Sequence, residues 1–95
     1  MTSAPVHTIG NSIRGDYKVV ADLVPNGSRV LDIGCEDGAL LDLLTRERGV
    51  DGRGMELSQR GVNKCVERGL SAVQGNADTD LADYPDDAFD LVIMS

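Results

Sequence analysis

Basic charge is scarce in this chain. Nine lysines and arginines face 16 aspartates and glutamates, for a formal net charge of −7. Without a basic stripe nothing neutralises a run of phosphates or draws the chain to an anionic lipid surface, so neither nucleic acid nor membrane is expected as a partner. Long apolar runs are missing too: none approaches the roughly 20 residues that a bilayer span needs. Residues 1–10 lack the charged start and apolar centre of a secretion signal, which points to the cytoplasm. Two cysteines, Cys35 and Cys65, make neither a disulfide framework nor a zinc site, and both are read as reduced. The one histidine, His7, falls in residues 1–11, read as a flexible tail, so Cys35 reads as a small packing residue rather than a nucleophile, and Cys65 as helix core. No paired acid and base and no metal-ligand cluster stands out, so no catalytic residue and no metal is assigned. The acids Asp78, Asp80, Asp83, Asp86 and Asp87 lack the tight spacing and internal glycine of a calcium loop and read as a solvated segment.

Against these absences stands the run Arg29-Val30-Leu31-Asp32-Ile33-Gly34-Cys35-Glu36-Asp37-Gly38, an apolar strand ending in a glycine-bearing turn that opens into the helical stretch Ala39-Leu40-Leu41-Asp42-Leu43-Leu44. The next strand ends in Glu56, about 20 residues beyond Gly34, the offset at which a carboxylate accepts from both hydroxyls of a ribose. A pyrophosphate-binding turn would need Gly-x-Gly-x-x-Gly/Ala, but here Glu36 replaces the middle glycine. Asp32, Glu36 and Asp37 crowd three carboxylates around the turn, which repel a pyrophosphate and attract a cation. S-adenosylmethionine meets these demands, with ribose hydroxyls for Glu56, a sulfonium and an ammonium group, and no phosphate.

Ninety-five residues make one small domain at most. No repeat or low-complexity stretch interrupts a strand–helix alternation that predicts a parallel sheet with right-handed crossovers. Ile13, Tyr17, Val20 and Val24 recur at helical spacing over residues 12–24. Residues 29–33 form the first strand, and a helix from about Asp37 buries Leu40, Leu41 and Leu44 before Gly49 ends it. Residues 53–56 form a short second strand, and Ser58 caps a helix that buries Val62, Cys65 and Val66 and closes at Gly69. Residues 70–74 form the third strand, and an acidic turn-rich segment leads to a fourth over residues 88–94, whose unbroken apolar run predicts burial on both faces. The chain stops at Ser95, directly after that strand. This favours a domain cut short over a small complete sheet, and leaves the fourth strand with a free edge through which the chain is expected to self-associate.

Gly27-Ser28-Arg29-Val30-Leu31-Asp32-Ile33-Gly34-Cys35-Glu36-Asp37-Gly38, Gly54-Met55-Glu56-Leu57, Val73-Gln74-Gly75-Asn76-Ala77-Asp78 and Phe89-Asp90-Leu91-Val92-Ile93-Met94-Ser95 resemble successive motifs of class I S-adenosylmethionine-dependent methyltransferases. More narrowly, the Cys-x-Asp-Gly turn, Cys65-Val66-Glu67-Arg68-Gly69 and Val73-Gln74-Gly75 resemble the MetW family of methionine-biosynthesis proteins, over residues 13–95. The resemblance implies an α/β, Rossmann-like class I methyltransferase fold of which residues 12–95 are the N-terminal, cofactor-binding half. It implies S-adenosylmethionine as cofactor, S-adenosylhomocysteine as product, and a site made of Asp32, Gly34, Cys35, Glu36, Gly38, Glu56, Leu57, Asn76 and Ala77. Asp32 would face the ammonium group, Glu56 the ribose, Asn76 the adenine amino group through its carbonyl oxygen, and the Ala77 N–H a ring nitrogen. Two positions depart from the family pattern: Glu36 stands at the usual second glycine, and Asn76 at the usual aspartate. The resemblance also implies a place in methionine biosynthesis, either as a methyltransferase or as a non-catalytic partner of a homoserine O-acyltransferase. An NAD-type dinucleotide site is the remaining alternative.

Plainer readings remain open at several positions. Asp32 and Asp37 suit backbone caps, and Glu56 suits a solvated acid after a strand. Cys35, Cys65, Tyr17 and Phe89 suit packing.

Overall fold

The computed structural model describes residues 7–9 and 16–94. Five strands, β1 (His7–Ile9), β2 (Arg29–Ile33), β3 (Asp51–Glu56), β4 (Ala72–Gln74) and β5 (Leu91–Met94), form one sheet. All pairings are parallel, in the order β1-β5-β2-β3-β4. Helices α1 (Tyr17–Leu23), α2 (Ala39–Arg48), α3 (Gln59–Glu67) and α4 (Ala77–Asp80) alternate with the strands, as parallel crossovers require. From β2 the chain steps outward to β3 and β4, then returns across the sheet to lay β5 on the other side of β2. The strand order reverses there, and in open α/β sheets the crevice outside the carboxyl ends at such a point is where ligands bind.

Side-chain caps start α1 and α3, and a left-handed glycine ends α2. Asp16 Oδ1 accepts from Val19 N–H at 3.1 Å to start α1, and Ser58 Oγ accepts from Gly61 N–H at 3.3 Å to start α3. Gly49, at φ 59°, ends α2. The core joins α1 and α2 to one face of the sheet: Val20, Ala21, Val24, Leu40, Leu41 and Leu44 pack with Val30, Leu91 and Ile93. A Cβ on Gly52 would sit 2.6 Å from Leu41 Cδ1, so glycine on β3 is what lets α2 settle onto the sheet.

Several expectations change. Residues 1–11 are not wholly tail, because His7–Ile9 pair with β5 in the register His7↔Leu91 to Ile9↔Ile93. That pairing gives five strands instead of four and removes the free edge expected on the last strand: β5 lies between β1 and β2, with both sides hydrogen-bonded. The supposed route to self-association is therefore occupied by the chain's own N-terminal strand. The first helix begins at Tyr17, and residues 12–15, with Ile13, lie outside the described residues. Tyr17 and Val66, placed on buried faces, are exposed, Val66 at 56%, because α3 turns Val62 and Cys65 inward. Leu70 packs against the core ahead of β4, not within it. Burial of the last strand is alternating: Leu91 and Ile93 are buried and Met94 is 41% exposed. The acidic segment folds into α4 and a single 3₁₀ turn over Leu81–Asp83, and Phe89 packs edge-on against Tyr84. Among the described residues no helix is long and apolar enough to cross a membrane, and no cluster of three potential metal ligands occurs.

Candidate functional site

The carboxyl ends of β2, β3 and β4 converge on one crevice. After Ile33 the chain passes through Gly34 at φ 73°, Glu36 at φ 54° and Gly38 at φ 84° before α2 begins. Left-handed conformation suits the two glycines, whereas Glu36 holds it against the Cβ contact that normally forbids it. The turn's position is set by β3, where Gly34 N–H donates to Met55 O at 2.7 Å.

Glu56 ties this turn to the start of α3. Its Oε1 accepts from Glu36 N–H at 3.3 Å and its Oε2 from Ser58 N–H at 3.0 Å. Each oxygen keeps a further acceptor position. Gly61 gives this carboxylate its room, since a Cβ there would lie 2.6 Å from Glu56 Cγ and 3.1 Å from Glu36 O. Sequence reasoning missed Gly61, although a glycine inside an amphipathic helix is a signal of close approach.

On the far side, Gly75 N–H donates to Glu56 O at 3.0 Å, and Gln74 Nε2 donates to Leu57 O at 2.9 Å. These bonds hold the β3 and β4 ends together. Asn76 caps α4: its Oδ1 accepts from Asp78 N–H at 2.9 Å, while its own N–H donates to Asp80 Oδ2 at 2.7 Å. The side-chain oxygen expected to face an adenine amino group is thus already engaged with the backbone and has one acceptor position left.

Between these ends lies a cavity of ≈ 280 Å³ whose walls include Gly34, Glu56, Leu57, Asn76 and Ala77, with Met55 and Met94 as apolar sides. Five of the nine expected site residues therefore meet in one space, and the two methionines are additions that no local pattern marked. Glu36 lines a neighbouring open groove of ≈ 530 Å³ that shares Glu56 with the cavity and carries Asp37, Ser58, Gly61 and Lys64. Asp32 is completely buried at the end of β2, and among the described residues no buried side-chain nitrogen or oxygen lacks a hydrogen-bond partner. Asp37 does act as a cap, accepting from Ala39 N–H at 3.0 Å, and pairs with Arg68 at 3.5 Å. Gly38 faces α3 and a residue beyond it: a Cβ there would meet Cys65 Sγ at 3.0 Å and Leu70 Cδ1 at 2.7 Å. The Cys35 side chain turns beneath the loop toward Cys65, where burial pushes its thiol pKa up, with the neighbouring thiol adding to the shift.

The family described as methionine biosynthesis protein MetW matches residues 14–95. A bifunctional methionine biosynthesis protein MetXA/MetW of Rhodopirellula baltica is 28% identical over 88 residues, which is 84% of this chain and 14% of that protein. The crystal structure of a TehB-like SAM-dependent methyltransferase from Corynebacterium glutamicum superposes with a TM-score of 0.72 at 24% identity, over 85% of this chain and 44% of the other. That of a SAM-dependent methyltransferase from Thiobacillus denitrificans in complex with S-adenosyl-L-homocysteine gives 0.60 at 25% identity, over 82% and 34%. The chain spans less than half the length of each of these proteins. The parallel, Rossmann-like methyltransferase fold is common to this chain and the two crystal structures.

Proposed function

The chain belongs to the MetW family of methionine biosynthesis proteins, and from that footing we propose that it binds S-adenosylmethionine, or S-adenosylhomocysteine as product, at the carboxyl ends of β2, β3 and β4. The observation that carries this reading is the convergence of Gly34, Glu56, Leu57, Asn76 and Ala77 on one cavity. Its ≈ 280 Å³ is just below the usual range of ligand-pocket volumes, about 300–1,000 Å³. It suits the nucleoside end of such a molecule between Met55 and Met94, while Glu56 offers its two remaining acceptor positions to the ribose hydroxyls. Asp32, Cys35, Glu36 and Gly38 then belong to the turn side, where backbone and negative charge favour the amino-acid end. A dinucleotide is disfavoured: Glu36 holds the left-handed backbone a glycine would hold there, but brings a carboxylate where a pyrophosphate would need bare N–H groups.

When bound, S-adenosylmethionine supplies an electrophilic methyl on a sulfonium. This chain's own residues orient it, and no acid or base among them is assigned to the transfer. A second reading has its own support in the bifunctional MetXA/MetW relative: the methyltransferase fold acts as a binding partner of a homoserine O-acyltransferase, in the cytoplasm, with the nucleoside as ligand.

Calorimetric titration of S-adenosylhomocysteine into the protein and its Glu56→Ala variant tests the first reading. Binding that weakens at least about tenfold in the variant, or ~1.4 kcal/mol, supports it. A well-folded protein that shows no heat of binding of either sign overturns it and leaves the partner reading, which co-purification with the acyltransferase then decides.

A further inference from the structure

Two thiols lie side by side beneath the glycine turn. Cys35 Sγ and Cys65 Sγ are 3.4 Å apart, both residues are buried, and they are the chain's two cysteines. One belongs to the turn between β2 and α2, the other to α3. The surrounding backbone leaves space for the sulfurs: a Cβ on Gly54 would lie 2.6 Å from Cys35 Sγ, and one on Gly38 3.0 Å from Cys65 Sγ. A disulfide has a sulfur separation of about 2.05 Å, so closing this pair takes a shift of roughly 1.4 Å, shared between two side chains and a turn.

We propose that Cys35 and Cys65 form a redox-convertible dithiol, which a disulfide oxidant such as oxidised glutathione turns into an intramolecular disulfide that fastens the glycine turn to α3. One cysteine, as thiolate, attacks oxidised glutathione, forms a mixed disulfide and releases one glutathione thiolate. The second cysteine loses its proton, attacks the protein sulfur of that mixed disulfide and releases the second glutathione. Two electrons and two protons leave the protein thiols, and one glutathione disulfide becomes two glutathiones. Burial raises the pKa of both thiols, so the reaction runs through an opened turn and is slow in the closed fold. Glu36 follows Cys35 directly and donates its N–H to Glu56. Drawing Cys35 toward α3 therefore shifts the donor that holds the Glu56 carboxylate. This consequence for ligand binding rests on the reading given under the proposed function; formation of the bond does not.

The test is incubation of the folded protein with oxidised glutathione, alkylation of remaining thiols, and intact-mass and peptide analysis, with Cys35→Ser and Cys65→Ser as controls. The expected product has lost two hydrogens, takes up no alkylating agent and yields a peptide joining Cys35 to Cys65; neither variant yields it. Two alkylated thiols, a persistent glutathione adduct or a bond between two chains overturns the proposal. Calorimetry with S-adenosylhomocysteine then compares reduced and oxidised protein. An affinity at least about tenfold weaker after oxidation, restored by dithiothreitol, supports the coupling, and unchanged affinity overturns it. If the reduced protein does not bind, the ligand reading fails, while the mass result still decides the disulfide.

Discussion

Arg29 and Asp90 lock the amino ends of β2 and β5 together through a two-pronged ion pair, Nη2 to Oδ1 at 2.8 Å and Nε to Oδ2 at 3.2 Å. The Arg29 backbone N–H adds a third bond to Oδ2 at 2.8 Å. These bonds, the side-chain one first, hold the Asp90 carboxyl pKa down from 3.8 to about 2. A carboxyl group with a lowered folded-state pKa contributes its stability above the unfolded value and loses it as pH falls. The melting-temperature gap between the protein and Asp90→Asn is therefore expected to be widest near neutral pH and to close between about pH 4 and pH 2. Both side chains are nearly half exposed, so the gap is small and shrinks with added salt. Thermal melts across that pH range check it.

Glu36 holds φ at 54° without being glycine. A left-handed conformation costs a residue with a Cβ about 1–2 kcal/mol, and glycine loses part of that gain to its unfolded-state freedom. Glu36→Gly is expected to stabilise the fold by up to ~1 kcal/mol, measured by urea unfolding. The backbone donor to Glu56 is kept.

Gly61 sits in the first turn of α3, where alanine would ordinarily favour a helix by about 1 kcal/mol. Because its Cβ would meet Glu56 Cγ at 2.6 Å, Gly61→Ala is expected to bring no such gain and to weaken S-adenosylhomocysteine binding about tenfold. Paired calorimetry and thermal unfolding separate the two effects.

On the side away from β2, β5 pairs with the short strand β1. Removing residues 1–9 would bare a row of backbone donors and acceptors beside Leu91, Val92 and Ile93. The shortened chain is expected to associate, seen as a rise in mass by light scattering at concentrations where the full chain does not. A shortened chain of unchanged mass would mean that β1 is dispensable to that edge.

Much of this was legible in residue order because it is governed by neighbours. The spacing of Leu40, Leu41 and Leu44, the cap at Ser58 and the glycines at 34, 38, 49 and 69 are local patterns with local physical causes, and the structure has helices and turns at each. Alternation of strand and helix then leaves a parallel sheet as the way to pair the strands, and the acid-rich turn ahead of Glu56 is what drew the expected ligand to its carboxyl end.

Tertiary structure decided what depends on residues far apart in the chain. His7–Ile9 is too short to announce itself as a strand, and only the open side of β5, more than 80 residues away, gives its backbone a partner. Val66 reads as apolar face but points outward, because the sheet determines which side of α3 is covered. The engagement of Asn76 Oδ1 with its own helix, the two loops joined by Glu56 and the contact of Cys35 with Cys65 likewise arise from how packed elements meet. Periodicity and capping act over one or two turns of chain, so sequence alone determined the longer helices and strands and the end of the sheet proposed for the site; pairing and burial act across the whole molecule, so only the folded sheet decided the short elements, its edges and how its polar groups are used.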